Sequence, residues 1–360
     1  MNFRLSLHLS RQQSTDKIFI MRPLKFLLFI ASVILFWPSC REAQHYNKIR
    51  FAGEAQGTYY AITYFGNDTI VHKNEVDSLL NAFDQSVSVW VHESIISKIN
   101  NNYPEVEMGR HFMEIFKQSK KIWKNTNGAF DVTVGPLVNA WGFGFKNKIP
   151  VDDRVLDSLL PLVDFEAVRI ENGALVKDHP GITIDFNAIA QGYSVDLLGG
   201  FLESRGIQNY LVDIGGEVLA KGTKPGGTGG KYWVVGIEKP AENADAARTL
   251  NATVEISDRA IATSGNYRKF YEENGIRYSH TIDPRTGYPV KHQLLSATVM
   301  ADSASIADGY ATALMVMGPE KSKEFLKNTP YLEAYLIYSD QNGEYRTWAT
   351  EKMKKLIQEK

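Results

Sequence analysis

Apolar and polar residues alternate over residues 49–66, which read IRFAGEAQGTYYAITYFG. A period of two puts successive side chains on opposite faces of a strand, and tyrosine, threonine and isoleucine favour extended backbone. Gly57 interrupts the alternation near its middle. The pattern therefore predicts a β-hairpin or strand pair that is broken at Gly57.

Apolar residues recur every three or four positions over about residues 72–86 and again over 109–126. This spacing puts them on one face of a helix, so the sequence predicts a helix in each segment. Asn127 and Gly128 follow the second segment and are typical of a helix end.

Residues 181–206 begin with the short apolar run GITIDF and continue with helical spacing to Gly206. We expect a short buried strand that passes into a long helix beginning near Asn187. The rest of the chain predicts strands at 209–222, 232–240, 253–263, 276–283 and 294–301, a helix at 303–317 with Asp302 as its N-cap, and a terminal strand and helix.

Strands and helices are mixed without a regular βαβ rhythm. This order favours an α+β fold, with mixed, largely antiparallel sheets packed against helices, over a doubly wound parallel sheet. The sequence has no internal repeat at a fixed period. We expect one catalytic domain over residues 49–360, of one or two lobes.

The N-terminal part of the chain differs from the rest. Residues 21–40 read MRPLKFLLFIASVILFWPSC, in which basic residues precede an apolar run too short for a comfortable membrane span. The run ends at Cys40, the single cysteine, so the chain has no internal disulfide. This order is similar to a bacterial lipoprotein signal, which predicts translation from Met21, removal of residues 1–39, lipid attachment at Cys40 and a tether over 40–48. An uncleaved anchor is the alternative, and either places the domain outside the cytoplasm, on the periplasmic side of the cell envelope.

Charge and common motifs exclude several classes of function. The chain has 40 Lys and Arg against 41 Asp and Glu, a net charge of -1, which gives no broad attraction to nucleic acid or a membrane surface. It contains no Walker A loop, no G-x-S-x-G, no H-E-x-x-H and no C-x-x-C. We therefore expect no nucleic-acid partner, and any binding must depend on local sites.

The sequence SHTIDPRTGYP, residues 279–289, brings an imidazole, a carboxylate and a guanidinium to one turn. Proline fixes φ and glycine allows positive φ, so Pro-x-x-Gly predicts a tight turn after a strand. His280 could act there as a general base near neutral pH, or it could be a satisfied structural histidine. We expect Asp283 and Arg285 to form a pair that stabilises the turn.

Two further segments place acids beside apolar residues. Asp131 lies in GAFDVTVGP, where it could bind a ligand or simply cap the next turn. Asp185 lies in IDFNAIAQGY, residues 184–193, whose small residues allow close approach of a bulky group while the helix start offers N–H groups to an anion. An ordinary capped helix packed against a sheet explains the same pattern.

Asp308 and Thr312 are four residues apart in ADSASIADGYATALMVMG. On a helix that spacing puts both oxygens on one face, and a carboxylate with a hydroxyl is a hard-oxygen pair suited to Mg²⁺. A solvated helix face or a local hydrogen bond is the simpler explanation of such a pair.

Taken in order, seven segments resemble the FAD:protein FMN transferase family, ApbE, over roughly residues 50–340. They are GTYY, FDVTVGPLVNAWGFG, IDFNAIAQGY, LVDIGGEVLAKG, ATSGNY, HTIDPRTGYP and SIADGYATAL. The resemblance implies an ApbE-like architecture related to the T-fold. It also implies Mg²⁺-dependent transfer of the FMN half of FAD to a threonine hydroxyl of a partner flavoprotein subunit, with release of AMP. Family members work outside the cytoplasmic membrane, often as lipid-anchored proteins.

The resemblance also assigns roles to individual residues. His280 matches the histidine proposed to deprotonate the acceptor threonine. The positions that match metal-binding residues are Asp308, Thr312, the carbonyl of Ala188, and Ala311 beside them. The positions that match FAD contacts are Gln56, Trp90, Ala129, Phe130, Asp131, Asp185, Gln191 and Ile282.

This chain departs from the family at two of these positions. Family members commonly have lysine where this chain has Gln191, and methionine where it has Gln56. The loss of a cation beside the diphosphate would weaken FAD binding, although an amide still donates hydrogen bonds. Two rival functions use the same site: hydrolysis of FAD to FMN and AMP, and flavin binding by a lipoprotein without catalysis.

Overall fold

The computed structural model describes residues 46–360, except 67, 145–147, 227–229, 241–248, 267–269 and 274–275. Residues Tyr46–Lys360 form one compact unit. The signal region predicted over residues 1–39, Met21 and Cys40 lie outside the described residues. Within the described part of the chain, no helix has both the length and the apolar character needed to cross a membrane.

The helices that matter most for the site lie in the second half of the chain. Among the described residues, the α-helices are α1 (Lys73–Val87), α2 (Ile95–Asn100), α3 (Arg110–Asn125), α4 (Gly135–Ala140), α5 (Asp153–Leu159), α6 (Ala190–Ser204), α7 (Ala304–Met317), α8 (Pro319–Lys327) and α9 (Met353–Leu356).

The described strands lie at the start of the unit and, after a helical stretch, from Val168 onwards. They are β1 (Asn47–Ala55), β2 (Thr58–Gly66), β3 (Val168–Glu171), β4 (Ala174–Lys177), β5 (Tyr210–Ile214), β6 (Glu217–Lys221), β7 (Trp233–Glu238), β8 (Leu250–Ile256), β9 (Arg259–Gly265), β10 (Phe270–Glu273), β11 (Ile276–Ser279), β12 (Leu294–Ala301), β13 (Glu333–Ser339), β14 (Tyr345–Ala349) and β15 (Ile357–Glu359).

Eight of these strands form the main sheet, in the order β1-β2-β5-β6-β9-β12-β13-β14. A second sheet has the order β15-β8-β7, and β3-β4 and β10-β11 are separate hairpins. Every pair of neighbouring strands is antiparallel. The predicted α+β class with largely antiparallel sheets is confirmed.

The main sheet is covered on both faces. Along β12, Val299 packs in the cluster that contains residues of α3 and α7, whereas its neighbour Met300 packs with β7 and β8. Successive side chains of a strand point to opposite faces, so a strand covered on both sides buries side chains at nearly every position. All but one residue of β12 are buried, including the polar Ser296 and Thr298, and α7 packs against this strand.

Several predicted elements are confirmed. β1 and β2 form a hairpin that turns at Gln56 and Gly57, where φ is 55° and 71°. α1, α3 and α7 lie within one or two residues of the predicted bounds. In α3 the buried residues recur at helical spacing and form the face that packs in the core; they are Phe112, Ile115, Phe116, Ser119 and Ile122.

The strand predicted at the start of 181–206 is wrong. That segment makes only an isolated parallel bridge, between Val134 and Thr183. The side chain of Asn100 takes the place of a neighbouring strand, because it donates to Ile184 O and accepts from Ile184 N, both at 2.8 Å. The helix that follows begins at Ala190, three residues later than predicted.

Two other predicted strands are each two strands. Residues 209–222 form the β5-β6 hairpin, which turns at Gly215 and Gly216. Residues 253–263 are divided between β8 and β9, because Asp258 has a φ of 53°, outside the extended region. β7 consequently pairs with β8 in the second sheet rather than with β6.

Candidate active site

Helices α6 and α7 cross most closely at Gly192. A Cβ added there would lie 2.4 Å from the carbonyl oxygen of Ala304 and 2.8 Å from the Cβ of Asp308, so only glycine allows this approach. The Gly192 N–H donates to Asp308 Oδ2 at 3.0 Å. Asp308 therefore accepts a hydrogen bond from one of the N–H groups that have no partner within their own helix, because they lie at its N-terminus.

A second carboxylate makes the reverse connection, from α6 to the start of α7. Asp196 Oδ1 accepts from Ala304 N at 2.6 Å, and its Oδ2 accepts from the N–H and hydroxyl of Ser305 at 2.9 and 2.7 Å. Burial raises the pKa of Asp196. The prediction that Asp302 caps α7 is wrong: its side chain is 93% exposed and forms an ion pair with Arg259 at 3.6 Å. The cap comes from the neighbouring helix instead.

Asp308 is buried on the inner side of this crossing, and burial raises its pKa to about 7. The described residues provide a hydrogen bond to Oδ2 and none to Oδ1. A nearby cation offsets the cost of burying a carboxylate and favours its charged form. The electrostatics of Asp308 therefore fit a site for a positive ion.

The other positions that match metal-binding residues lie around Asp308. Thr312 follows it by one helical turn, and its hydroxyl lies 3.3 Å from the Ser264 hydroxyl on β9. Ala188 is in the turn directly before α6, and Ala311 is fully buried in α7. No group of three His, Cys, Asp or Glu side chains able to hold a metal occurs among the described residues. The donors here are one carboxylate, one hydroxyl and a carbonyl, which are hard oxygens suited to Mg²⁺.

The segment with Asp131 lies directly beside the one with Asp185. Asp185 N donates to Val132 O at 2.7 Å, and the carboxylate of Asp185 accepts from Asn187 N at 2.8 Å. Asp131 Oδ1 accepts from the N–H and hydroxyl of Thr133 at 2.8 and 2.6 Å, which is the turn cap that the sequence allowed. Burial raises the pKa of Asp185, and it raises that of Asp131 to about 6.

Ala129 and Phe130 are 1% and 2% exposed, so both side chains belong to the core. The ring of Phe130 packs against α7, where a Cβ added at Gly309 would lie 3.6 Å from it. Gly128 comes immediately before them, and a Cβ added there would lie 4.0 Å from Cγ of Arg285. This segment thus connects α7 with the turn that follows His280.

His280 follows directly after β11, and its ring meets the edge of Phe143 with the centroids 6.4 Å apart. The turn beyond it is held by Asp283, whose carboxylate accepts from Arg285 Nε and Nη2 at 2.8 and 2.7 Å, so the predicted pair is confirmed. Ile282 is buried and forms a bridge with Pro289. The backbone on both sides of the turn is therefore fixed close to His280.

Gln191 does not point its amide freely into the site. Its Nε2 donates to Ile214 O at 2.9 Å and to a carboxylate oxygen of buried Glu217 at 2.6 Å. Gly215 makes this possible, because a Cβ there would lie 2.2 Å from the same nitrogen and its φ is +63°. At the position where family members commonly have lysine, this chain therefore has a glutamine whose amide is fixed by the carboxylate of Glu217.

Gln56 and Trp90 lie at the edge of this arrangement. The amide of Gln56 joins the hairpin turn to two helices, since it donates to Asp84 at 3.3 Å and accepts from the Ser194 hydroxyl at 3.0 Å. Trp90 is in the turn after α1 and is 61% exposed. Gln56 thus reaches α6 through Ser194. The flavin roles of Gln56 and Trp90 stay predictions.

Comparison with known proteins agrees with this geometry. The family described as the ApbE family matches residues 56–336. The chain belongs to the ApbE family. It is 36% identical over 305 residues to the FAD:protein FMN transferase of Vibrio cholerae, covering 82% of this chain and 88% of that protein. The corresponding Escherichia coli protein is 34% identical over 320 residues, covering 85% and 88%.

Solved ApbE structures have the same fold. The flavin transferase ApbE of Vibrio cholerae superposes with a TM-score of 0.76 at 34% identity and covers 87% of this chain and all of that one. The apo form of the Pseudomonas stutzeri flavinyl transferase ApbE gives a TM-score of 0.75 at 32% identity, with coverage of 86% and 97%. The resemblance of the sequence to the ApbE family is therefore confirmed.

Sequence reasoning missed two residues of the ApbE site. Asp196 is an acid inside the apolar helix segment YSVDLL, and an unexplained acid on a buried helix is a signal for a cap or a ligand. Glu217 follows the Gly-Gly turn, and a single strand over 209–222, as the sequence predicts, does not indicate its buried position beside Gln191. Both carboxylates hold other site residues in place.

Proposed function

We propose that this protein is an FAD:protein FMN transferase, which moves the FMN part of FAD to a threonine hydroxyl of an acceptor flavoprotein subunit and releases AMP. Membership of the ApbE family and the names of its relatives support this proposal. The observation that carries it is the hydrogen bond from Gly192 N in the first turn of α6 to buried Asp308, next to the small residues Ala188 and Ala190. An anionic diphosphate can approach such a helix start closely.

The reaction would form a bond between the threonine oxygen and the phosphorus on the FMN side of the diphosphate. The bond from that phosphorus to the bridging oxygen breaks, and AMP leaves with the bridging oxygen and its electron pair. The threonine proton goes to the imidazole of His280, which acts as general base. The fixed turn at Asp283 and Arg285 holds His280 in position for this transfer.

Asp308, Thr312 and the carbonyl of Ala188 would hold Mg²⁺. When bound, that ion supplies positive charge to offset the charge of the diphosphate and of the leaving AMP. The protein itself holds the carboxylate of Asp308 at the start of α6 through Gly192 N, and it fixes the start of α7 against α6 through Asp196. Preorganised donors of this kind need no rearrangement during the reaction.

Incubation of the protein with FAD, Mg²⁺ and a candidate acceptor tests the proposal. Mass spectrometry should find an FMN adduct on an acceptor threonine, and chromatography should find AMP in equal amount. FMN and AMP formed equally well without acceptor would indicate an FAD hydrolase. Bound FAD with no release of AMP under any condition would indicate a flavin-binding protein.

Substitution of Asp308 tests the metal assignment. Asp308→Ala should lower transfer by at least about 100-fold, because it removes the charged ligand. Asp308→Asn keeps an acceptor for Gly192 N–H and removes the cost of burying a charge, so without metal it should be at least as stable to heat as wild type and still lose transfer. Transfer at the wild-type rate by either variant would disprove the assignment.

We also propose that the domain is tethered by lipid at Cys40 on the extracytoplasmic side of a membrane. The apolar run that ends at this single cysteine supports the proposal. Cys40→Ala should move the protein from the membrane fraction to the soluble fraction of cells. Membrane retention of the variant would favour an uncleaved anchor.

A further inference from the structure

Beyond the turn that follows His280 lies an open cleft of about 500 Å³. One wall is formed by residues 283–292, and the other by the end of α7 with the first turn of α8. Its apolar lining residues are Tyr288, Pro289, Val290, Val316 and Met317. Nothing in the proposed binding of FAD uses this cleft.

The cleft is continuous with the catalytic turn. Val290, which lines it, donates from its backbone N–H to the carbonyl of Thr281 at 3.0 Å, and Thr281 is the residue after His280. Arg285 lines the same wall and lies beside Gly128, next to the segment that matches FAD contacts. A polypeptide that presents a threonine to His280 must pass close to this wall with its flanking residues.

The charges in the cleft are unbalanced. Arg285 is neutralised by Asp283. His292 is held by Met315 O at 2.7 Å and by Leu294 N at 3.2 Å, and burial lowers its pKa. Lys291 and Lys321 are exposed, stand on opposite walls and form no ion pair with another described residue.

Lys321 also lies in the first turn of α8, where the helix dipole is already positive. The two walls therefore present positive charge above an apolar floor, which suits a peptide with both acidic and apolar side chains.

We infer that this cleft docks an acidic segment of the acceptor protein next to its target threonine. The inference rests on the proposed function, because it takes the polypeptide in the cleft to be the substrate that His280 deprotonates. Lys291 and Lys321 select and steer that segment, while His280 and Asp308 serve the chemistry.

Binding of short labelled peptides to the FAD-saturated protein tests the inference, with EDTA present to prevent transfer. One peptide has a central threonine flanked by aspartates, and its control has asparagines in their place. The acidic peptide should bind wild type about tenfold more tightly than the control, and the Lys291→Glu/Lys321→Glu variant should lose about that factor. Lys354→Glu/Lys355→Glu is the matched charge control, since both lysines lie on α9, which packs in the cluster on the other face of the sheet.

FAD affinity, measured by flavin fluorescence, should be the same in wild type and in the double variant. Equal binding of the acidic peptide to wild type and the double variant would overturn the inference. A fall in FAD affinity with the peptide affinity would overturn it too, since the lysines would then serve the nucleotide. If wild type and the double variant transfer FMN to an acceptor equally well, the proposed function stands and only the docking site is disproved. If the peptide binds through the lysines but wild type transfers no FMN to any acceptor, the proposed function is disproved and the cleft remains a peptide-binding site.

Discussion

Gly192→Ala is the sharpest test of how the site is built. A Cβ at this position would lie 2.4 Å from Ala304 O and 2.6 Å from Ala304 C, whereas ordinary contacts are 3.4–4 Å. Both atoms are backbone and cannot turn away. The two helices would have to separate by about 1 Å at the crossing, which would lengthen the 3.0 Å hydrogen bond from Gly192 N to Asp308 beyond a useful distance.

The expected loss of stability follows from three contributions. Overpacking costs about 1–3 kcal/mol, and a lost hydrogen bond to a charged group costs about 1.5–3 kcal/mol. The better helix propensity of alanine offsets up to about 1 kcal/mol of this. With the full offset, we therefore expect the free energy of unfolding to fall by about 1.5–5 kcal/mol, and the melting temperature by roughly 2–10 °C.

The substitution should lower Mg²⁺ affinity and transfer activity more than it lowers stability. Asp308 moves with α7, and a misplacement of about 1 Å in a catalytic arrangement can cost about 100-fold in rate. Mg²⁺ affinity, measured by calorimetry, and FMN transfer should both fall in Gly192→Ala.

Gly200→Ala is the matched control in the same helix. A Cβ at Gly200 meets nothing within 4 Å, so this variant should gain about 0.5–1 kcal/mol and keep full activity. If Gly192→Ala melts early but binds Mg²⁺ as wild type does, the crossing supports the fold without positioning Asp308, and the reasoning is refuted.

Two further predictions concern charge in the site. Because burial raises the pKa of Asp131 from 3.8 to about 6, its contribution to stability is fully present below about pH 4 and is lost as the pH rises through 6. Asp131→Asn keeps an acceptor for Thr133, so at pH 7 it should raise the free energy of unfolding by at most about 3 kcal/mol. It should also remove this pH dependence when stability is measured by chemical denaturation at several pH values. A plot of stability against pH that runs parallel to that of wild type would contradict the prediction. Gln191→Lys should still donate to Ile214 O and Glu217 while adding a cation beside the diphosphate, so FAD affinity in a fluorescence titration should rise several-fold, about 3–10 times. Unchanged affinity would show that Glu217 neutralises the lysine completely.

The elements that could be predicted from sequence are those whose pattern is local. The alternation at 49–66 and the helical spacing at 109–126 depend only on which face of the element is buried, and both gave the correct element. The β5-β6 hairpin also had a local signal, because Gly-Gly between alternating apolar residues is a common hairpin turn. The apolar residues on both sides of Gly-Gly are also compatible with one long strand, so this local signal does not decide between the two.

The elements that could not be predicted depend on partners far away in the chain. Residues 181–185 have the composition of a strand, but the side chain of Asn100 satisfies Ile184 instead of a neighbouring strand. In the same way, Asp302 has the position of a helix cap, and Asp196 from another helix takes that role. A local pattern cannot show which of two chemically suitable groups arrives from elsewhere in the fold.

The candidate site combines both kinds of information. The spacing of Asp308 and Thr312 is local and predicts that they share a helix face. That Asp308 meets the start of α6 is a property of the fold, and it depends on a glycine at one position of one helix. The absence of a side chain at Gly192 is therefore as important to the site as the carboxylate of Asp308, since the carboxylate reaches its place only where the two backbones can touch.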